Sequence, residues 1–413
     1  MITRLPRRLI VTVALATLTG AVLGAAPPAA AQTAAPVVVP RPVLYADSPD
    51  AIDESFVVVL DKNTSPSDTP RIVGELVAKY GGTIRFTYTS ALQGFAVDIS
   101  ADKAQLIAGE PTVAYVAQDM TIRLDALGLQ NNPPSWGIDR IDQRSLPLDA
   151  KYFYANTASS VRAFIIDTGI LLTHQEFGGR AICGFDPFLS GCAPCNQFHG
   201  THVAGTVGGA TVGVAKGVQL VSVKVFNCAP TTPTSVVIAG VDFVTLAQTL
   251  NPTVRSVANM SLGGSAFQPL DDAVNNSINA NVHYSVAAGN GFGQNACLTS
   301  PARVPNATTV GSTEINDARS GFSNIGTCLD LFGPGGSILS AVHTANNAYG
   351  IASGTSMATP HATGTAAMWR QKFPADNALA VGTALAANAT PGVVTNPGAG
   401  SPNLLLFSGM IPV

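Results

Sequence analysis

Charged side chains are scarce in this chain of 413 residues: Lys, Arg, Asp and Glu together make up 11% of it, and the formal net charge is -3. No basic cluster follows the N-terminal region, which argues against nucleic acid as a partner. Beyond that region no apolar run reaches the roughly 18 residues that a membrane-spanning helix needs. Hydrophobic residues are abundant at 46%, and at this length they predict a large packed core and two or three domains.

The N-terminus has the pattern of an export signal. Arg4, Arg7 and Arg8 precede an apolar run over 9–26, and small residues follow as far as Ala31. This order is typical of a cleaved secretory signal and not of a membrane anchor. We therefore expect residues 1–31 to be a signal peptide and the mature protein to be secreted, soluble and free of the membrane.

Cysteine is confined to one part of the chain, since all six lie between Cys183 and Cys328. An even number in an exported chain predicts disulfides. Cys192 and Cys195 also form a C-x-x-C pair shortly before His199, so a zinc or redox site is an alternative. That alternative is weaker because a structural zinc would need a second pair of ligands at compact spacing.

Residues 32–50 are rich in Ala, Pro and Val and are predicted to form a linker. The segment 51–127 alternates apolar strand patterns with two helical patterns. The predicted order β-α-β-β-α-β is that of a ferredoxin-like α+β fold, which is common and by itself indicates no function. The elements are predicted at 56–60, 70–80, 83–88, 94–100, 101–109 and 113–118.

Three motifs far apart in the chain each carry a reactive side chain. The apolar stretch 161–166 predicts a buried strand that ends in Asp167. His199 and Ser356 each stand where a helix of small residues is predicted to begin, with Pro360 in the first turn of the second helix. An unassisted hydroxyl is a poor nucleophile, so a serine needs such a base and an orienting acid.

The order of these motifs is acid, base, nucleophile. It differs from the serine-first order of α/β-hydrolases and from the histidine-first order of chymotrypsin-like enzymes. Ala358 stands where the hydrolase elbow has its second glycine. With these motifs, the chain from about Trp136 onward resembles the subtilisin-like serine peptidases of the proteinase K type.

The resemblance implies an α/β fold: a subtilisin-like three-layer domain with a mostly parallel sheet over residues 128–413. The ferredoxin-like segment 51–127 then resembles the inhibitory pro-domain of this family. We expect a monomeric zymogen, cut between about Leu124 and Gln130, whose own pro-domain is its inhibitor. Its partners would be protein and peptide substrates, which it would cleave as a secreted serine endopeptidase.

The resemblance also assigns roles in catalysis. Asp167 would hold one tautomer of His199, and His199 would act as general base for Ser356. Asn290 and the N–H of Ser356 would stabilise the oxyanion. Ser261, Leu262 and Gly263 would form one wall of the S1 pocket, and Ala287, Ala288 and Gly289 the other. Small residues on both walls predict broad specificity with a preference for apolar or aromatic P1 residues.

No cofactor is expected for the chemistry, but the family binds structural calcium. The corresponding ligands here are the Asp330 carboxylate and the carbonyls of Pro305 and Ala307, and oxygen donors of this kind suit calcium. A second site is implied less strongly at Asp139, Asp142 and Gln143. The resemblance further pairs Cys195 with Cys228 and Cys297 with Cys328, which leaves Cys183 and Cys192 as a third pair.

The chain departs from the family pattern at the cleft. Phe198 precedes the histidine where glycine is usual, and Pro230 and Pro233 lie in a segment that pairs with substrate in relatives. Proline cannot donate to such a ladder, so we predict weakened or narrowed binding there; the alternative is a rearranged loop in which other residues keep the pairing. A catalytically silent relative that binds peptides, and a metal- or redox-dependent hydrolase using Cys192 and Cys195, are the alternative functions.

Overall fold

The computed structural model describes residues 39–48, 51–120 and 128–412, so the predicted signal peptide lies outside it. The chain divides into two compact units, Met1–Arg123 and Leu124–Val413. Within the described ranges, no helix is both long enough and apolar enough to cross a membrane.

The N-terminal unit has the predicted β-α-β-β-α-β order, and its four strands form one antiparallel sheet in the order β2-β3-β1-β4. Alternating side chains of β1 pack with one face of each helix, as period-2 and period-3.6 apolar patterns require. Its elements are β1 Ala51–Leu60, α1 Thr69–Tyr80, β2 Thr83–Tyr88, β3 Gly94–Asp98, α2 Ala101–Ala108 and β4 Val113–Met120.

Part of the predicted linker is packed on this unit. Leu44 pairs with Ala117: its N–H donates to the carbonyl of Val116 and its carbonyl accepts from Gln118, both at 2.9 Å. The stretch around Leu44 is therefore not a free linker, because its backbone groups extend the sheet.

The C-terminal unit alternates strands and helices. Its helices are α3 Trp136–Ile141, α4 His199–Gly208, α5 Thr234–Leu250, α6 Gln268–Asn279, α7 Thr355–Lys372 and α8 Ala378–Asn388. Its strands are β5 Gly128–Asn131, β6 Lys151–Tyr154, β7 Val161–Asp167, β8 Ala181–Phe185, β9 Gln219–Lys224, β10 Arg255–Met260, β11 Gly264–Ser265, β12 Val282–Ala287, β13 Thr299–Ser300, β14 Thr308–Thr313, β15 Leu331–Pro334, β16 Ile338–Ala341, β17 Tyr349–Ala352, β18 Thr390–Pro391 and β19 Leu404–Leu405.

The central sheet has the order β18-β19-β15-β14-β12-β10-β7-β9-β8 and is parallel from β8 to β19, with β18 as an antiparallel edge. Its middle strands are buried along almost their whole length because helices cover both faces. Helices α4 and α7 pack on one face and α5 and α6 on the other. The expected three-layer α/β architecture is confirmed.

The topology brings the predicted site residues together at the carboxyl ends of the parallel strands. Open α/β sheets usually have their active or binding sites at this edge. Strand β7 ends in Asp167, β10 ends immediately before Ser261, and β12 ends in Ala287. Helices α4 and α7 begin at His199 and Thr355, so both predicted helix starts are confirmed to within one residue.

Three disulfides join the pairs that the resemblance implied: Cys183–Cys192, Cys195–Cys228 and Cys297–Cys328. With their sulfurs bonded, Cys192 and Cys195 offer no thiolate to a metal ion, and the zinc and redox alternatives lose their ligands.

Candidate active site

Asp167 and His199 are in direct contact. Nδ1 of His199 lies 2.8 Å from Oδ1 and 3.0 Å from Oδ2 of Asp167, which is buried. An ionised carboxylate can only accept, so Nδ1 carries the proton and Nε2 keeps its lone pair. The imidazole remains accessible from a neighbouring cleft, with 28% of its side chain exposed.

Two glycines make this contact possible. A Cβ on Gly200 would lie 2.3 Å from the carbonyl oxygen of Gly169, so no side chain fits directly behind His199. Gly169 itself has φ +101°, a conformation that favours glycine. The Thr168 hydroxyl accepts from the N–H of Gly200 at 3.0 Å and ties the end of β7 to the start of α4.

Burial and charge act in opposite directions on His199. Burial disfavours the imidazolium, but the charge of Asp167 and its hydrogen bond outweigh burial and raise the pKa of His199 above its ordinary value. His202, one turn along α4, is different: burial lowers its pKa to about 4, and its Nε2 bonds the carbonyl of Ile338 at 3.0 Å. His202 is therefore a packed residue of α4 and not a second base.

Ser356 is the second residue of α7, where main-chain N–H groups have no acceptor within the helix. Its hydroxyl donates to the carbonyl of Ser261 at 3.1 Å and makes no described hydrogen bond to His199.

Pro360 is the sixth residue of α7, and its predicted place in the first turn is wrong. A residue there normally donates its N–H to the carbonyl of Ser356. Proline cannot, and the hydroxyl of Ser261 donates to that carbonyl at 2.8 Å instead.

Asn290 is held by its neighbour in space, Thr355. Its Oδ1 accepts from both the N–H and the hydroxyl of Thr355, each at 2.9 Å. Because a main-chain N–H can only donate, these bonds fix which end of the amide is oxygen. Nδ2 makes no hydrogen bond within the described residues, and Asn290 lines a cavity of about 280 Å³ with Ser356.

Asn324 supports the same loop and was not singled out by the sequence. Its Oδ1 accepts from Gly291 at 2.8 Å, and its Nδ2 donates to the carbonyl of Ala288 at 2.9 Å. Ala288 is fully buried and does not line the cavity, unlike Ala287 and Gly289. Ala288 therefore supports the predicted S1 wall from behind.

The predicted substrate residues Ser261, Leu262 and Gly263 lie between two cavities. They line the smaller cavity beside Ser356 and also a cleft of about 700 Å³ that includes His199. Phe198 and Pro230 line the larger cleft. Pro233 does not line it and is the N-cap residue of α5.

Asp330 lies beside the predicted carbonyl ligands. Its Oδ2 accepts from the N–H of Thr309 at 2.7 Å, two residues beyond Ala307. Burial raises the pKa of Asp330 to about 6. Pro305 is exposed and Ala307 is buried.

Asp139 and Asp142 each have a buried Oδ1 without a described partner. Burial, aided by the charges of Asp139 and Asp149, raises the pKa of Asp142 to about 7. The amide of Gln143 is bonded to the turn that follows it, through the N–H of Asp149 and the carbonyl of Pro147. Over the described ranges, no three His, Cys, Asp or Glu side chains are grouped to hold a metal ion, so any cation here would also need carbonyls or water.

Comparison with known proteins supplies the context for this geometry. The Subtilase family model matches residues 191–403, and the Peptidase inhibitor I9 model matches residues 55–125. An extracellular serine proteinase of Thermus sp. (strain Rt41A) is 44% identical over 402 residues, covering 92% of this chain and 94% of the relative. Alkaline serine exoprotease A of Vibrio alginolyticus is 40% identical over 388 residues, covering 91% of this chain and 71% of the relative.

A solved structure is also similar. The crystal structure of a cold adapted subtilisin-like serine proteinase aligns with a TM-score of 0.62 and 46% identity, covering 66% of this chain and 97% of that chain. The aligned share corresponds to about the length of the C-terminal unit.

Proposed function

This chain belongs to the subtilase family and is a serine endopeptidase, and on that premise we propose that it is secreted and acts through an acyl-enzyme formed on Ser356. The observation that supports this most directly is the Asp167–His199 pair, which leaves Nε2 with a lone pair at a cleft shared with Ser261. The alternative of a silent peptide-binding relative has only the cleft departures at Phe198 and Pro230 in its favour.

In the proposed reaction, Nε2 of His199 takes the proton of Ser356 as the hydroxyl attacks the substrate carbonyl, and then returns it to the leaving amine. Asp167 stabilises the imidazolium in between. The negative charge on the carbonyl oxygen is met by Nδ2 of Asn290 and the N–H of Ser356, and a donor of this kind contributes about 3 to 4 kcal/mol.

A fluorophosphonate probe tests this proposal. Wild-type secreted protein should be labelled on Ser356 and should cleave peptides, and both should be lost in Ser356→Ala. Removing a member of such a triad costs up to about 10⁶ in kcat. Absence of both labelling and turnover would favour the silent relative, and turnover without labelling would refute the acyl-enzyme on Ser356.

For specificity, we propose that the cavity beside Ser356 accepts apolar or aromatic P1 side chains. It is lined by Ala287, Gly289 and Gly263 and carries no charged side chain in the described structure. Tetrapeptide substrates that differ only at P1 should show higher kcat/KM for Phe and Leu than for Lys and Glu. A preference for a charged P1 residue would contradict the proposal.

For the upstream subsites, we propose that Pro230 weakens main-chain pairing with substrate, since it lines the cleft. Pro230→Gly should then raise kcat/KM on long peptides. Pro233→Gly is the matched control because Pro233 only caps α5, and it should have no such effect. Equal changes in kcat/KM in Pro230→Gly and Pro233→Gly would contradict the proposed role of Pro230.

For activation, we propose that the chain is a zymogen that processes itself. The I9 match at 55–125 supports an inhibitory pro-domain, and Gly128–Asn131 pairs with Lys151–Tyr154 inside the C-terminal unit. This pairing favours a cut before Gly128. N-terminal sequencing should find a mature start near 128 in wild type and none in Ser356→Ala. A mature start before Asp50 would refute a retained pro-domain.

For metal binding, we propose structural calcium at Asp330 with the carbonyls of Pro305 and Ala307, and a second ion at Asp139 and Asp142. At the second site, the buried oxygens of Asp139 and Asp142 that have no described partner, and the repulsion between these carboxylates, would be relieved by a divalent cation. In Ser356→Ala protein, excess calcium should raise Tm and a chelator should lower it. The response should shrink in Asp330→Asn and in Asp142→Asn. No response in the parent would exclude both sites.

A further inference from the structure

A series of hydrogen bonds runs from the middle of α7 to the main chain of Ser356. The Thr363 hydroxyl donates to Oδ1 of Asn259 at 2.9 Å, and Nδ2 of Asn259 donates to the hydroxyl oxygen of Ser261 at 2.9 Å. Ser261 then donates to the carbonyl of Ser356 at 2.8 Å. Asn259 and Thr363 are fully buried and Ser261 is nearly so, which makes each of these bonds costly to lose.

The donor and acceptor of each bond in this series can be assigned by starting from the carbonyl of Ser356. The carbonyl of Ser356 can only accept, so it takes the proton of Ser261. The oxygen of Ser261 must then accept, which requires the amide nitrogen of Asn259 to face it. Asn259 presents its oxygen to Thr363, whose hydroxyl can donate. The network has one consistent arrangement of protons.

Pro360 creates the need for this network. In an unbroken helix the N–H four residues along would hold the carbonyl of Ser356. Proline at that position has no N–H, so the part-buried carbonyl of Ser356 would otherwise lack its helical donor. Ser261 supplies the missing donor, and Asn259 fixes the direction in which it donates.

We infer that Asn259 and the Ser261 hydroxyl are positioning residues for the nucleophile, replacing the helix bond that Pro360 cannot make. The inference rests on the proposed role of Ser356. The side chains of Asn259 and Ser261 act through the main chain of Ser356, which carries both the attacking hydroxyl and an oxyanion donor. A shift of about 1 Å in such a group can cost up to about 100-fold in rate.

A double-mutant cycle between Ser261 and Pro360 tests this. Ser261→Ala should lower kcat about tenfold, with KM changed by less than about twofold. The hydroxyl that is removed bonds the nucleophile's main chain, whereas the main chain of residue 261 in the predicted S1 wall is kept. In Pro360→Ala protein the new N–H can hold the carbonyl of Ser356. There, adding Ser261→Ala should lower kcat by no more than about twofold.

Equal losses from Ser261→Ala in the two backgrounds would overturn the inference, since a hydroxyl that acts on substrate or only fills space does not depend on residue 360. Near-identical Tm values for Ser261→Ala and its parent in each background would show that a loss of folded protein does not explain the difference in kcat.

Asn259→Asp is the second test, because aspartate has the same shape but no donor when ionised. Its carboxylate should attract the Ser261 proton away from Ser356 and reproduce the loss in kcat of Ser261→Ala. The two changes together should then cost no more than either alone. Multiplied losses would overturn the inference. Thr363→Ser retains the hydroxyl and is the conservative control that should preserve kcat.

The rate of fluorophosphonate labelling separates this inference from the proposed function. If wild type is not labelled on Ser356, the proposed function fails and the inference with it. If wild type is labelled and Ser261→Ala slows labelling equally in the wild-type and Pro360→Ala backgrounds, only the inference fails.

Discussion

Thr355 makes two hydrogen bonds to Asn290, with its N–H and its hydroxyl both donating to Oδ1 at 2.9 Å. The same hydroxyl accepts from the N–H of Gly289 at 3.1 Å. The residue before the proposed nucleophile therefore orients the side chain that is proposed to stabilise the oxyanion.

Thr355→Val should remove the hydroxyl while keeping the shape of the side chain. Asn290 would keep one of two bonds to its Oδ1, and its Nδ2 would be less well directed. We expect kcat to fall about tenfold with KM nearly unchanged, as for a contact that matters only in the transition state. Thr355→Ser keeps the hydroxyl and should stay close to wild type; a similar fall in both variants would contradict this role.

Asp167→Asn should lower kcat by about 10⁴ and also shift the pH profile. Asp167 raises the pKa of His199, and burial alone would lower it. Since the base must be unprotonated, activity is lost as pH falls through this pKa. The acid limb of kcat/KM should therefore move to lower pH in Asp167→Asn. Asp272→Asn, an exposed carboxylate on α6, is the control. An unmoved acid limb would contradict the assignment of His199 as the base.

Three buried histidines should make the fold sensitive to acid. Burial lowers the pKa of His202, His283 and His361 to about 4, against an ordinary value of 6.5. The folded pKa is depressed, so the unfolded chain takes up protons first. Stability is fully present above pH 6.5 and is lost progressively down to about pH 4, by roughly 3 kcal/mol for each histidine.

Denaturant unfolding of Ser356→Ala protein between pH 7 and pH 4 measures this loss without autolysis. His283→Gln should lose roughly 3 kcal/mol less than its parent over this range, because the ring of His283 is fully buried and lies away from the proposed base. An equal loss in His283→Gln and its parent would show that this ring does not titrate as described.

Each disulfide should increase the free energy of unfolding, and the increase should be larger when the disulfide closes a longer loop. Cys195–Cys228 spans 33 residues and Cys183–Cys192 spans 9. In the chain-entropy model, replacing both cysteines with serine should cost about 4 kcal/mol for the first pair and about 3 kcal/mol for the second. Unfolding of the two variants in the Ser356→Ala background checks this. A larger cost for the short loop would indicate that native contacts outweigh chain entropy.

The sequence predicted those features that local patterns determine. Apolar runs located the strand that ends in Asp167, and small-residue helical patterns located the starts at His199 and Thr355. Features that depend on tertiary contacts were missed. Ala288 was expected in the S1 wall, but only the loop held by Asn324 decides which residues of that loop face the cavity.

Pro360 shows the same limit more sharply. Its position in α7 was judged from the sequence alone and was wrong, because the helix begins one residue before Ser356. Its consequence could not be found locally, since the donor that replaces its N–H is the hydroxyl of Ser261, which lies 95 residues before Ser356 in the chain. The role of Asn259 depends on that same long-range contact.

The close approach of Gly200 to the carbonyl of Gly169 restricts how this enzyme can be altered. Any side chain at 200 would collide with main-chain atoms only 2.3 Å away, so the rear of the imidazole is closed to redesign. The opposite rim, formed by Phe198 and Pro230, borders open space in the larger cleft. Libraries aimed at new substrates are best confined to that rim, where the cleft leaves room for other side chains.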